Sequence, residues 1–295
     1  MRIAVTGSQG QVARSLVERG ATMGASVIAV GRPTLDLADP STILPALRAA
    51  APDVIVNAAA FTGVDAAESE EALAHQINAE GAGAVAKVAA ELSVPIIHLS
   101  TDYVFNGMLD RPYSEGDVPE PINAYGRSKL AGEEAVKTIA RRHVILRTAW
   151  VYSPFGRNFL RAMLAAAETR QNVRVVADQL GQPTSALDIA DGILAICQRL
   201  RTKPQDEALF GTFHMTAQGA ASWADFAEAI FAERERRGRS GVTVSRIASR
   251  DYETAARRPA NSRLDTAKLA AAYGIVLPPW HQSVSEVTER LLATS

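Results

Sequence analysis

A chain of 295 residues, 47% hydrophobic and 21% charged, is long enough for one large domain or two closely joined ones, and its composition excludes a disordered or fibrous polypeptide. Its 31 Lys and Arg and 32 Asp and Glu give a net charge of −1, so no basic excess is available to hold a nucleic acid backbone. The only cysteine, Cys197, precludes an internal disulfide and fits a reducing, cytoplasmic setting, and no apolar run approaches the roughly 18 residues of a membrane helix. Met1 and Arg2 lead directly into the first predicted strand, residues 3–5, without the long apolar core of a signal peptide. Residues 7–10 form a turn, and Val12, Leu16 and Val17 then share one face of a helix. Further strands are predicted at Ser26–Val30, at 53–57, at 95–100 and at His143–Thr148, with one long Ala-rich helix over about 65–92. These strands are continuous apolar runs, which marks burial on both faces, as in a parallel sheet covered by helices. Strands alternate with helices, so the expected fold class is α/β, a doubly wound parallel sheet of the Rossmann type.

The second half is less regular. Residues 173–176 and 211–215 read as strands, and 187–200 as an amphipathic helix with Leu187, Leu194, Cys197 and Leu200 near one face. Trp223–Arg236 and 266–273 read as further helices. The run at 233–239 and the trio Arg141, Arg142 and His143 read as solvated ends, not nucleic-acid patches; in the first, two Glu interrupt four Arg. No repeat or low-complexity linker separates the halves, so the second is expected to be a smaller domain packed on the first.

The turn after the first strand reads Thr6-Gly7-Ser8-Gln9-Gly10-Gln11-Val12-Ala13. Glycine lets the backbone turn tightly and lets a pyrophosphate approach, and the free N–H groups at the helix start then face the phosphates. The spacing is G-x-x-G-x-x-A, not G-x-G-x-x-G, and a glycine pair after a strand is often only a turn. Its place at the head of a βαβ pattern is what raises the signal. The second strand ends Val30-Gly31-Arg32, with no acid for a ribose 2′-hydroxyl. Arg32 is either a partner for a 2′-phosphate or an ordinary surface arginine. The acid that does follow, Asp36, is placed beside the adenine.

The strongest signal is Tyr125-Gly126-Arg127-Ser128-Lys129, with Tyr and Lys one turn apart on a helix face. A neighbouring ammonium stabilises a phenolate and lowers the tyrosine pKa from near 10, giving a proton donor better matched to neutral pH. Alone the pattern is common by chance. The fourth strand, however, ends in Ser100-Thr101-Asp102-Tyr103, and ligands of open parallel sheets sit beyond the strands' carboxyl ends. That puts the Thr101 hydroxyl where it can bond a carbonyl oxygen. The third strand ends in Asn57-Ala58-Ala59-Ala60, small enough for a flat cofactor ring to pass close. Three strand ends converge on one cleft.

These segments resemble the extended short-chain dehydrogenase/reductases, and within them the reductases of nucleotide-linked keto sugars. The resemblance spans nearly the whole chain. It rests on TGSQGQVA from Thr6, PDVIVNAAAFTGVDAAE from Pro52, STDYVFNG from Ser100 and NAYGRSKLAGE from Asn123. RTAWVY from Arg147, DQLGQPT from Asp178 and RPANSRLDTAKL from Arg258 continue it, and these are the more specific because they belong to the sugar-nucleotide side. It implies a dinucleotide-binding domain over 1–150 and a mainly sugar-nucleotide domain over 151–295, with about 173–215 returning to the first sheet. It also implies that Gly7, Gly10, Gln11 and Val12 meet the cofactor pyrophosphate, and that Asp36 and Leu37 lie at the adenine. Ala60, Phe61 and Thr62 would run along the nicotinamide ribose. Tyr125 would be the proton donor, with Lys129 its helper and a ribose ligand, and Thr101 would assist. Thr101, Asp102 and Trp150 would contact the sugar, and Asn158, Arg258 and Asn261 would reach the nucleotide half, Arg258 as a natural diphosphate partner. Ala13 replaces the usual third glycine, and Phe61 stands where a polar residue or Tyr is common.

The implied activity is hydride transfer from NADPH, or alternatively NADH, to C4 of dTDP-4-dehydro-6-deoxy-L-mannose, giving dTDP-L-rhamnose. The expected partner is the dTDP-sugar, with neither nucleic acid nor membrane, and a homodimer is allowed. Some family members dimerise around a metal held by acidic side chains; no cluster here specifies one, so no metal is expected. A sister epimerase or dehydratase shares the Tyr/Lys pair, but dehydratases carry Asp-Glu after the Thr, and here Tyr103 follows Asp102. A different nucleotide sugar is a further alternative. So is a non-catalytic NADP-binding regulatory subunit, like the partner of methionine adenosyltransferase, although it would have no need of a tuned phenol.

Overall fold

Six parallel strands make the central sheet of the computed structural model, which describes residues 1–293; the last two residues of the expected second domain lie outside the described residues. In chain order, β1 (Arg2–Thr6), α1 (Gln11–Thr22) and β2 (Ser26–Val30) precede α2 (Ile43–Ala50) and β3 (Val54–Asn57). The helical segments α3 (Ala66–Ser69), α4 (Glu71–His75) and α5 (Gly81–Glu91) lead to β4 (Ile96–Thr101), and α6 (Ala124–Ile139) leads to β5 (His143–Thr148). Then come β6 (Val151–Tyr152), α7 (Phe159–Ala166), β7 (Asn172–Val176), β8 (Leu180–Gly181) and β9 (Thr184–Ser185). After α8 (Ala186–Thr202) and β10 (Gly211–His214), the chain continues through β11 (Ala221–Ser222), α9 (Trp223–Arg236), β12 (Thr243–Ile247), α10 (Ala267–Tyr273) and α11 (Trp280–Ala293). The sheet order is β10-β5-β4-β3-β1-β2, parallel throughout.

Successive residues of a strand point to opposite faces, so each strand feeds two cores. Ile3, Val5, Val56, Ile97 and Leu146 meet α1 and α8, whereas Ala4, Ile55, Ile96 and Ile145 meet α2, α5 and α6. Each large aliphatic side chain buried this way stabilises the fold by about 1.5–3 kcal/mol. In α8, Leu194, Cys197 and Leu200 join the first of these cores, and Leu187 joins a third, where Tyr152, Phe226 and Trp280 pack. The expected single apolar face of this helix therefore bridges two cores. No helix among the described residues is long and apolar enough to cross a membrane.

Three expectations are corrected. The stretch 65–92 is not one helix: Glu70 leaves helical geometry at φ −120° and ψ 36°, and Gln76–Glu80 winds as a π turn. Within 173–215, β10 and α8 do return to the central sheet, but β7 does not; it pairs in parallel with β12. The 233–239 run is more than a solvated end. Glu233 and Arg234 are buried; Arg236 and Arg237 both donate to Glu233 at 2.5 Å, and Arg234 pairs with Glu168.

Candidate active site

The strand order reverses between β1 and β3, which opens a crevice at the carboxyl ends of the strands. Gly7 lies there at φ +89°, donating its N–H to the Val30 carbonyl at 2.7 Å, and a Cβ on it would stand 3.2 Å from that of Ala59. Gly31 backs onto Ser8, whose nitrogen would be 2.7 Å from an added Cβ. Gly10 opens α1, which has neither a side-chain cap nor an acid in its first turn, so its leading N–H groups and positive end remain available to an anion. The Val12 side chain belongs to the core, so only its backbone is available to a ligand. Gln11 reaches across to the second half: its Nε2 donates to the Val151 carbonyl at 3.3 Å, and its Oε1 accepts from Ser153 and Asn158. Arg32 is exposed at the end of β2. Asp36 folds back to accept the Ala38 N–H at 3.0 Å, above a buried Leu37.

A buried network fixes the loop after β3. Thr6 Oγ1 donates to Asn57 Oδ1 at 2.7 Å and accepts from the N–H groups of Ala58 and Ala59. Asn57 Nδ2 lies 3.0 Å from His98 Nδ1, and burial, with Lys129 nearby, keeps the His98 ring neutral. Phe61 is then held by one side-chain amide. Asn78 Oδ1 accepts the Phe61 N–H at 2.8 Å, and Asn78 Nδ2 donates to the Phe61 carbonyl and to Ser128 Oγ. Ser128 in turn donates to the Tyr125 carbonyl at 2.8 Å. The π turn carries Asn78 into this position, a common use of such turns. Gly132 makes room, since a Cβ there would fall 2.1 Å from the Asn78 carbonyl oxygen. Ala60 is half-buried and Thr62 exposed, while Phe61 packs with Ala67, Ala74, Ala124 and Tyr125.

Asn123 caps α6 by accepting the Gly126 N–H at 2.7 Å. The helix presents Tyr125 half-buried and Lys129 buried, and Lys129 Nζ donates to the Leu99 carbonyl at 2.7 Å. The Thr101 hydroxyl lies close enough to the Tyr125 phenol to act on its acidity. Thr101 Oγ1 also donates to Asp102 Oδ1 at 3.0 Å, and Tyr103 meets Tyr125 edge to face at 6.0 Å. The electrostatics correct the sequence reading. Burial pushes the Tyr125 phenol up to about 12, with the nearby Thr101 hydroxyl opposing, and pushes the Lys129 ammonium down to about 8, with Glu133 opposing. Desolvation sets the phenol's acidity, and the expected acidifying effect of the ammonium is not among its causes; Lys129 gives one of its three N–H groups to Leu99 and keeps its charge. Burial also raises the Asp102 carboxyl to about 7, and its Oδ2 lacks a hydrogen-bond partner.

One turn beyond Lys129, the buried Glu133 accepts Arg147 Nε at 2.9 Å, Arg147 Nη2 at 2.7 Å and Ser100 Oγ at 2.5 Å. This clamp joins α6 to the ends of β4 and β5.

Trp150 follows β5 at φ +47°, a strained conformation for a bulky residue. It stacks on Trp223 at 3.6 Å, and the absent side chain of Gly181 leaves room for its ring. Beyond lies a cavity of about 600 Å³ lined among others by Phe159, Trp223, Gln179, Arg174, Arg250 and Arg258. Arg258 is gripped by Asp65 at 2.7 Å. Asn158 caps α7 and holds Gln11, and Asn261 spends its amide on the carbonyls of Leu109 and Arg111 and on Arg263. Neither lines the cavity.

The structure thus brings Thr101, Asp102, Tyr125 and Lys129 together beside the glycine turn, and sets Trp150 and Arg258 towards the second half. The sequence reading missed Asp65, Asn78, Glu133 and Trp223. Only Glu133 had a signal, its helical spacing of four from Lys129.

The chain matches the model of the family described as RmlD substrate binding domain over residues 1–293. It is 47% identical over 292 residues to a dTDP-4-dehydrorhamnose reductase of Sinorhizobium fredii, covering 99% of this chain and 98% of that one. Among solved structures it resembles a dTDP-4-dehydrorhamnose reductase of Clostridium acetobutylicum, at TM-score 0.91 and 33% identity over 99% of this chain and 100% of that one. It also resembles one of Bacillus anthracis in complex with NADP, at TM-score 0.89 and 32% identity over 100% and 99%.

Proposed function

The chain belongs to the family of the RmlD substrate binding domain, and from that premise we propose that it reduces the C4 ketone of dTDP-4-dehydro-6-deoxy-L-mannose to give dTDP-L-rhamnose, with NADPH as cofactor. The observation that carries this reading is the convergence of Thr101, Tyr125 and Lys129 at the end of β4, beside the strand-order reversal. The residues fit a dinucleotide. Gly7 and Gly31 let the turn pack closely on Ala59 and Ser8, a side chain at Gly10 would project into open space at the head of α1, and α1 offers an uncapped positive end. Arg32, free of any acid on β2, suits a 2′-phosphate. When bound, the reduced nicotinamide supplies the hydride.

The chain's own groups do the rest. Tyr125 stays protonated well above neutral pH and gives its proton to the alkoxide forming at C4. Thr101 holds the same oxygen. Lys129 supplies the positive charge that stabilises the resulting phenolate, and being fixed beforehand it needs no reorganisation. Phe61, held by Asn78, shapes the edge of the ring site. Trp150 and Asp102 line the sugar, and the cavity with Trp223 and Arg258 takes the nucleotide. We assign residues 1–150 to the dinucleotide part and the rest mainly to the sugar nucleotide, with α8 and β10 lent back to the central sheet. Asn158 serves the cofactor turn through Gln11 in this reading. A cytoplasmic homodimer belongs to the same proposal, and light scattering of the purified protein tests the dimer.

The deciding experiment generates the keto sugar nucleotide in situ and follows loss of reduced-nicotinamide absorbance with NADPH and NADH in parallel. Oxidation that depends on the sugar and on Tyr125 supports the reductase. Saturable NADPH binding without oxidation would overturn it.

A further inference from the structure

Asp65 has no part in the chemistry above, yet it grips a guanidinium that lines the cavity. Arg258 donates Nη1 to Asp65 Oδ1 at 3.1 Å, Nη2 to Asp65 Oδ2 at 2.7 Å, and Nη1 again to the Ala256 carbonyl at 3.0 Å. A guanidinium carries five N–H groups in a rigid plane. These three bonds take the end-on pair and one lateral hydrogen. They leave Nε–H and the second Nη2 hydrogen side by side on one edge, the geometry that receives two oxygens of a phosphate. Arg174, Arg250 and Arg257 line the same cavity as Trp223 and Phe159. Guanidinium groups and aromatic rings around one cavity suit a nucleoside diphosphate. Asp65 Oδ1 also accepts the Ala256 N–H at 3.0 Å, so backbone and side chain of this segment are held together.

We propose that Asp65 is a positioning residue that holds Arg258 with one bidentate edge turned to the diphosphate of the sugar nucleotide. This rests on the reading of the cavity as the nucleotide site. A free arginine loses many rotamers when it captures an anion, whereas a fixed fork does not, and the difference appears in substrate affinity rather than in the hydride step.

The test compares Asp65→Ala, Asp65→Asn and Asp65→Glu with wild type in steady-state kinetics and in inhibition by dTDP and by thymidine. Asp65→Ala is expected to raise the sugar-nucleotide KM and the dTDP inhibition constant about tenfold. Asp65→Asn, which keeps the shape, gives a smaller rise, and Asp65→Glu restores most of the affinity. Thymidine, which has no phosphate, inhibits all four proteins alike, and kcat and the NADPH KM stay near wild type. An unchanged or tighter dTDP constant in Asp65→Ala would overturn the proposal. So would equal weakening of dTDP and thymidine, the mark of a collapsed cavity wall. Wild-type protein that turned over the sugar without inhibition by dTDP would remove the nucleotide reading itself.

Discussion

The ammonium of Lys129 rests on the carbonyl oxygen of Leu99 at 2.7 Å, two residues before Thr101. Lys129 is thus moored to the end of the strand that carries Thr101, so β4 as well as α6 sets where the ammonium stands. Glu133 reinforces this by clamping Ser100, the residue between Leu99 and Thr101.

Tyr125→Phe removes the donor and leaves the glycine turn intact. Turnover is expected to fall about 10²–10⁴-fold, while NADPH titration by nicotinamide fluorescence keeps its wild-type midpoint. Near-normal turnover would end the assignment.

Lys129 should impose an alkaline limb. Its pKa is pushed down to about 8 by burial, so kcat falls as pH rises through about 8, and Lys129→Met, already slow, lacks that limb. The same burial has a cost in stability. Below about 8 both folded and unfolded chains carry the proton and the cost of burying it is complete; between about 8 and 10.5 only the unfolded chain carries it, so this contribution becomes more favourable with pH. Lys129→Met should therefore be more stable than wild type at pH 7, by a margin that shrinks towards pH 10 in urea denaturation.

Asp102 has the opposite sense. With its carboxyl raised from 3.8 to about 7, the stability it contributes is lost as pH rises through that interval. Asp102→Asn should melt higher than wild type at pH 8 and the same at pH 3, with about 2–4 °C gained per kcal/mol relieved. Equal melting at both pH values would mean the carboxylate is well solvated.

The six strands of the central sheet were legible because continuous apolar runs allow little but a covered parallel sheet, and the donor pair because four residues are one helical turn; β12, the partner of β7, was not. What escaped was decided by distant contacts. Alanine-rich sequence favours helix throughout 65–92, and nothing local announces that Asn78 must reach Phe61 and Ser128. Spacing placed Lys129 near Tyr125, but burial, which spacing does not encode, set their acidities. Asp65 and Arg258 meet across 193 residues.

Glu133→Ala would strand the buried Arg147 without its carboxylate, at a cost of about 3–5 kcal/mol in urea unfolding. Replacing both residues by methionine should recover much of that loss. A neutral single substitution would show that water reaches the arginine.

Arg32→Ala is expected to weaken NADPH about 10–100-fold, the worth of a charge-assisted hydrogen bond, while NADH kinetics stay unchanged. Parallel loss with both cofactors would mean that Arg32 serves the turn and not the 2′-phosphate.

The π turn at Gln76–Glu80 also bears on how this fold can be re-engineered. It holds one residue more than an ordinary turn, so straightening it would swing the preceding segment by roughly 100° about the helix axis. Asn78 would then release both Phe61 and Ser128. Loop, turn and helix are therefore a single transplantable block. A graft that swaps the loop after β3 for that of a sister enzyme must bring Asn78, Ser128 and Gly132 with it, or the new loop arrives without its anchor.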